Sequence, residues 1–284
     1  MKNEDKRIIV VVGPTASGKS DLAVELALRE NGEIISADSR QVFKGLDIGT
    51  GKITKEEMKG VKHHMLDVYD LKEDVSVVRF VRDVSPIIED IFSRGKTPII
   101  CGGTGQYINA LIFDESFPEV KPNKILREEL EKLNEEELVA RLSSRDPKRL
   151  ANIDTKNRRR LIRAIEIAET LGYVPEQEEM KLKYKTKIYL MDKTRQELKE
   201  RIKMRLDKRL ETGMLDEGKK VFEMNLNDVE MNRLGIEYVA MNKYFRNGIT
   251  LEEMKQEIIT KSCQYAKRQQ TWNKKFYKDA ELIK

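Results

Sequence analysis

Two cysteines in 284 residues, Cys101 and Cys263, leave no disulfide framework to read, and neither belongs to a C-x-x-C pair or a Cys/His pattern that would hold zinc. Only two histidines occur, the adjacent His63 and His64; sequence neighbours point in different directions, so packing or hydrogen bonding is expected of them rather than a shared metal. No apolar run approaches the roughly 18 residues that span a bilayer, and Met1-Lys2-Asn3-Glu4-Asp5-Lys6 leads into the first strand without a secretory-type apolar segment. A cytosolic monomer without a membrane partner is therefore expected. Aromatic residues are few, at 6%, and no internal repeat or low-complexity segment is present. Charge is plentiful instead, at 36% with a net of only +5, so local clusters matter more than the total. The hydrophobic fraction, 39%, suffices for a core in one large domain or two.

The chain is organised around Gly13-Pro14-Thr15-Ala16-Ser17-Gly18-Lys19-Ser20, a match to G-x-x-x-x-G-K-[ST]. An apolar run, Ile8 to Val12, precedes it, and Asp21-Leu22-Ala23-Val24-Glu25-Leu26-Ala27 follows with apolar residues at helical spacing. That is strand, loop and helix, the context the motif requires. Loop N–H groups, the positive end of the helix and the Lys19 charge suit a di- or triphosphate, and the Ser20 hydroxyl is placed to ligate Mg2+. The pattern leaves open whether the bound group is a nucleotide or another pyrophosphate.

Residues 7–114 alternate strands (7–12, 33–37, 97–101) with helices (19–30, 75–94), the pattern of a parallel α/β sheet. Ligands of open α/β sheets gather at the carboxyl ends of strands, so Asp38, in Asp38-Ser39-Arg40-Gln41, falls at the phosphate-loop edge as a candidate for chemistry. Gly102-Gly103-Thr104-Gly105 ends another strand there, permitting close backbone approach and offering the Thr104 hydroxyl. The Gly-punctuated stretch Lys44 to Lys52 leaves the same edge, as a connector or as part of the site.

From 115 to 185 charged helices broken by Pro118, Pro122, Pro147 and Pro175 replace the strands. They predict an all-helical insert between the two parts, 1–114 and 186–284, of a P-loop-type, mostly parallel α/β core flanked by helices. Within the insert, Lys156 to Arg163 holds five basic residues and no acidic one. Leu161, Ile162, Ile165 and Ala168 share one helical face, leaving arginines on the other, which is either simply solvated or meets a phosphate backbone. A strand over 186–191 rejoins the sheet. The helix over 194–211 aligns Arg201, Arg205 and Arg209, facing a pyrophosphate or solvent, and a helix over 251–278 ends in alternating basic and aromatic residues.

These segments together resemble the tRNA dimethylallyltransferases, also called tRNA isopentenyltransferases. The matches are Gly13 to Ser20, Asp38 to Thr50, His63-His64-Met65-Leu66-Asp67, Gly102 to Gly105, Asn157 to Ile165, and Tyr265-Ala266-Lys267-Arg268-Gln269-Gln270-Thr271-Trp272, in family order over nearly the whole chain. The resemblance implies transfer of a dimethylallyl group from dimethylallyl diphosphate to N6 of adenosine 37 beside the tRNA anticodon. On that basis Asp38 is the general base, with Thr104 and Arg205 as further catalytic residues. Gly13, Pro14, Thr15, Ala16, Ser17, Gly18, Lys19 and Ser20 hold the departing diphosphate, Ser20 through Mg2+. Asp38, Ser39, Arg40, Gln41, Thr104, Arg159, Arg160, Leu161, Ile162 and Arg163 match segments that contact tRNA, and 115–185 matches the domain that clasps the anticodon stem-loop. Two positions depart from the family: Gly51, commonly Ala, and Gly235-Ile236, commonly Gly-Tyr. A P-loop kinase acting on a small metabolite would explain the loop and Asp38 but not the basic helices. A nucleotide-dependent RNA-binding protein would leave Asp38 without work.

Overall fold

The computed structural model describes residues 6–114, 117–118, 120–176 and 180–283; Met1 to Asp5 lie outside the described residues. The chain divides into two compact units, Met1–Asp114 with Leu182–Lys284, and Glu115–Lys181.

The first unit opens with β1 (Arg7–Val12), α1 (Lys19–Arg29), β2 (Gly32–Ser36), the two-residue β3 (His63–His64), α2 (Val77–Ser93), β4 (Thr97–Gly102) and α3 (Gly105–Ile112). In the second unit α4 (Lys124–Leu130), α5 (Glu135–Arg145), α6 (Pro147–Ala151) and α7 (Arg158–Leu171) pack around Leu130, Leu138, Leu142, Leu161 and Ile165. The first unit resumes with β5 (Lys185–Met191), α8 (Arg195–Glu211), α9 (Met214–Glu223), α10 (Asp228–Leu234), α11 (Ile236–Phe245), α12 (Leu251–Phe276) and β6 (Glu281–Ile283).

All six strands pair in parallel, in the order β3-β2-β4-β1-β5-β6. The central β1 is apolar almost throughout because helices cover both faces of such a sheet. Ile9 and Val11 point to α1, where Ala23, Val24, Leu26 and Ala27 are buried; Ile8, Val10 and Val12 point to the opposite core, with Phe80, Val84, Ile88 and Ile91 of α2. Each of the larger side chains here, valine, leucine, isoleucine or phenylalanine, contributes about 2 kcal/mol on burial. Val12 lies level with Gly102 and Leu190, so the segments leaving β1, β4 and β5 emerge side by side.

The short β3 and β6 are not evident from hydrophobic pattern: one is a histidine pair and the other three residues long. Each histidine has its own hydrogen-bond partner. His63 Nδ1 meets the Val61 carbonyl at 2.9 Å, and His64 Nε2 meets Glu33 Oε2 at 2.8 Å. Glu33, 1% exposed in β2, also accepts hydrogen bonds from Arg94 and Lys96. The Arg94 hydrogen bonds, helped by His64 and Lys96, outweigh burial and hold its carboxyl well below the usual range.

A carboxyl depressed in the folded state adds stability that is complete above its unfolded value, about 4.3, and is lost as pH falls toward the lower folded value. Glu33→Gln, which leaves Arg94 with Asp90 and takes the carboxylate partner from Lys96, is expected to cost about 1–3 kcal/mol at pH 7. Urea melts at pH 7 and pH 3 should show the gap to wild type narrowing at the lower pH.

Candidate active site

The phosphate loop runs from the end of β1 to α1, whose N-cap, Gly18, adopts a left-handed conformation and makes no side-chain cap. The first N–H groups of α1 are thereby left for a ligand. Ser17 Oγ is buried without a hydrogen-bond partner among the described residues, an acceptor-seeking group inside the loop. Lys19 Nζ donates to the Pro14 carbonyl at 2.7 Å. Burial pushes its pKa down to about 8, with Cys101 and Asp38 opposing the drop and Arg205 adding to it.

Thr15, Ala16, Lys19 and Ser20 open onto a cleft that Asp38, Gln41, Gly51, Arg205 and Tyr265 also line. Of the three aligned arginines, Arg205 is the one lining the cleft, and it donates no hydrogen bond among the described residues. Its guanidinium is open to the cleft yet surrounded by protein, and that desolvation, with the Arg209 charge, lowers it to about 10. Arg201 instead reaches the Ala16 carbonyl at 3.5 Å. Arg209 donates to the Gly49 carbonyl at 3.2 Å and pairs with Glu237 at 3.5 Å. Burial raises the Glu237 carboxyl, with Arg209 opposing.

Asp38 follows β2. One of its oxygens accepts the Arg40 N–H at 2.8 Å and the Gln41 N–H at 3.4 Å, which orients the carboxylate at the cleft wall. Thr104, from the turn after β4, accepts the Ser39 N–H at 3.0 Å, tying the two turns together. Arg40 donates to the Arg233 carbonyl, and Gln41 Nε2 to the Gly51 carbonyl at 3.3 Å. Asp38, Ser39, Arg40, Gln41 and Thr104 are thus one hydrogen-bonded group beside the phosphate loop.

The predicted stretch 159–163 divides. Arg159 and Arg160 are exposed on α7, whereas Leu161 and Ile162 are 0% and 5% exposed in the core of the second unit. Side-chain contact with RNA is therefore not open to Leu161 or Ile162, because the helix period that exposes two arginines turns the next two residues inward. Arg163 is half-buried, bound to Glu166 and the Val120 carbonyl. In α12 the aromatic residues are mostly packed rather than displayed: Trp272 lies against Phe276 at 4.5 Å, while Tyr265 lines the cleft and burial raises it to about 12.

Gln269 has a role that motif reading misses. From α12, and 7% exposed, its Oε1 accepts the Thr15 N–H at 2.7 Å while its Nε2 donates to the Gly103 carbonyl at 2.9 Å. A signal exists: Met254, Ile258, Ser262, Ala266, Gln269 and Asn273 form the buried stripe of α12, so Gln269 is a polar side chain on a core-facing row.

Strand order and phosphate loop define a P-loop-type α/β protein, one whose loop faces a carboxylate across a single cleft. The branch follows from comparison. A family model described as IPP transferase matches residues 41–276, and the chain belongs to that family. It is 39% identical over 271 residues to the tRNA dimethylallyltransferase of Anoxybacillus flavithermus, covering 94% of this chain and 87% of that one. It is 38% identical over 280 residues to that of Bacillus subtilis, covering 96% and 89%. Among solved structures, a tRNA isopentenylpyrophosphate transferase from Bacillus halodurans superposes with a TM-score of 0.72 at 38% identity, covering 99% of this chain and 90% of that one. A eukaryotic dimethylallyltransferase acting on tRNA superposes with a TM-score of 0.82 at 28% identity, covering 98% and 74%.

Gln269→Ala frees the Thr15 N–H and the Gly103 carbonyl together. The expected result is a stability loss of about 1–3 kcal/mol in thermal melts, with weaker binding of inorganic pyrophosphate by calorimetry.

Proposed function

We propose that the chain transfers a dimethylallyl group from dimethylallyl diphosphate to N6 of adenosine 37 in the anticodon stem-loop of tRNA. The observation that carries this reading is the shared cleft: Lys19, Ser20 and Arg205 line it together with Asp38, and Ala23, Ile34, Ile53 and Leu66 give it an apolar wall. A five-carbon diphosphate ester needs both kinds of surface.

In this reading the N6 lone pair attacks the allylic carbon as the carbon–oxygen bond breaks, and the diphosphate leaves with the electron pair. Asp38 takes the N6 proton. It is oriented by the Arg40 N–H and keeps its second oxygen free of hydrogen bonds among the described residues. Lys19, Arg205 and the loop N–H groups stabilise the charge that grows on the diphosphate. Thr104 holds the Ser39 backbone, and with it the turn that carries Asp38. The base must leave its stack to reach the carboxylate, at a cost of a few kcal/mol.

Mg2+ fits the residues present. Ser20 is exposed at the cleft and its hydroxyl makes no hydrogen bond among the described residues. No group of three or more His, Cys, Asp or Glu forms a metal cage among the described residues, so the remaining ligands would be diphosphate oxygens and water, the habit of Mg2+. Bound there, the ion would neutralise diphosphate charge. The second unit, through exposed Arg159 and Arg160, is assigned to the stem-loop backbone.

Labelled dimethylallyl diphosphate and unmodified tRNA, run beside labelled ATP with small acceptors, test the reading. Label entering RNA from the prenyl donor alone supports it; phosphate transfer to a small acceptor, or binding without turnover, overturns it. Asp38→Ala should lower turnover by about 10²–10⁴-fold while tRNA affinity changes little. Arg159→Ala combined with Arg160→Ala should weaken tRNA binding and reduce the log–log salt slope by about one for each phosphate no longer neutralised, as read from filter binding at several salt concentrations.

A further inference from the structure

The stretch 47–51 lacks regular structure, yet its backbone is fastened from several sides. The Glu217 carboxylate, on α9, accepts three consecutive N–H groups: Asp47 at 2.9 Å, Ile48 at 2.9 Å and Gly49 at 2.8 Å. The Tyr238 hydroxyl, on α11, donates to the same carboxylate at 2.6 Å. Tyr238 stands so close that a Cβ at position 49 would fall 2.5 Å from its hydroxyl oxygen, so only glycine fits there. Lys52, nearly buried, closes the other end through Asp47 and Asp67.

What this loop touches gives the fastening its meaning. Thr50 and Gly51 line the cleft, the Gly51 carbonyl accepts from Gln41, and the Gly49 carbonyl accepts from Arg209. At Gly51, with φ at +61°, a Cβ would come within 1.8 Å of the Arg209 guanidinium and 2.6 Å of that of Arg205. The two arginines therefore rest directly on the loop backbone. A loop free to shift would let Arg205, which donates no hydrogen bond among the described residues, shift with it.

We infer that Glu217 is a positioning residue for the transfer reaction: by gathering the Asp47, Ile48 and Gly49 N–H groups it fixes the loop against which Arg205 and Arg209 are set, and so fixes the grip on the allylic diphosphate. The inference rests on the functional reading above. Glu217 does not line the cleft, so its effect passes entirely through the loop. A carboxylate suits the task, since it accepts several N–H groups at once whereas an amide would turn a donor toward them.

Steady-state prenylation of tRNA by the wild type decides the functional reading; without transfer, both that reading and this inference fail. With an active wild type, Glu217→Ala, Glu217→Gln and Tyr238→Phe test the inference alone. The KM for dimethylallyl diphosphate is expected to rise about tenfold in Glu217→Ala, somewhat less in Glu217→Gln and least in Tyr238→Phe, with the KM for tRNA within about twofold of wild type. Hydrogen exchange should show reduced protection at the 47–49 amides. A folded Glu217→Ala enzyme with unchanged donor KM overturns the inference, as does one in which the donor and tRNA values rise by the same factor. If Glu217→Ala does not fold, the same two outcomes are read from Glu217→Gln and Tyr238→Phe.

Discussion

Segments leaving the carboxyl edge of a parallel sheet carry backbone N–H and C=O groups that the ladder does not use, and those withdrawn from water must find partners. Much of this site can be read as the answer to that demand. Thr15 and Gly103 are served by one carboxamide, Gln269; Asp47, Ile48 and Gly49 by one carboxylate, Glu217; the Gly49 carbonyl by Arg209; and the Lys193 carbonyl by Gln270 at 2.9 Å. All of these partners come from α8, α9 and α12, in the last third of the chain. Apart from the Lys193 turn, the N-terminal half supplies the loops and the C-terminal part holds them still.

That division bears on the electrostatics. Lys19, Arg205 and Arg209 bring three cations toward one cleft, where partial desolvation and mutual repulsion lower Lys19 to about 8 and Arg205 to about 10. Such an arrangement is costly unless an anion arrives. Glu237 offsets part of the cost beside Arg209, and Asp38 favours the charged form of Lys19. Crowding of this kind is expected where a diphosphate is gripped more tightly as it departs, because preorganised charge needs no rearrangement during the reaction.

The sheet edge is legible in the sequence because it follows local rules. The phosphate loop has its motif and its flanking elements, and Asp38 and Thr104 follow from the rule that strand ends face ligands. The alignment of Arg201, Arg205 and Arg209 is legible too, though their separate roles are not, since helical spacing cannot say that Arg201 ends on the Ala16 carbonyl while Arg209 ends on that of Gly49. Glu217 and Tyr238 escape a sequence reading because each acts on the backbone of a loop over 160 residues away or on a group that does so, and no local pattern announces such a partner; for Gln269 the core-facing row of α12 marks the residue but not the two loops it joins. Leu161 and Ile162 show the reverse error: a matched segment taken whole assigns them to RNA, although a helix period of 3.6 divides its residues between core and surface.

Of the two positions the resemblance set apart, Gly51 becomes intelligible once these long-range partners are in place. At Gly51 the absence of a Cβ coincides with the close approach of the Arg205 and Arg209 guanidiniums, so the smaller residue leaves them room to lie on the loop itself. At Gly235-Ile236 the glycine is the residue the two patterns share, and it backs onto the Arg40 side chain, with a built Cβ 3.5 Å from Arg40 Cδ, while the Arg233 carbonyl two residues earlier takes the Arg40 guanidinium; nothing in the structure explains Ile236. Arg40 is thereby committed to α10 and the turn that follows it, and the same turn leads directly to Glu237, the partner of Arg209. Gly51 thus borders Arg205, which lines the cleft, and Arg209 beside it, rather than the phosphate loop or Asp38. The residue at position 51 therefore bears on how these cations are set, because a Cβ there would have to push both guanidiniums off the loop backbone.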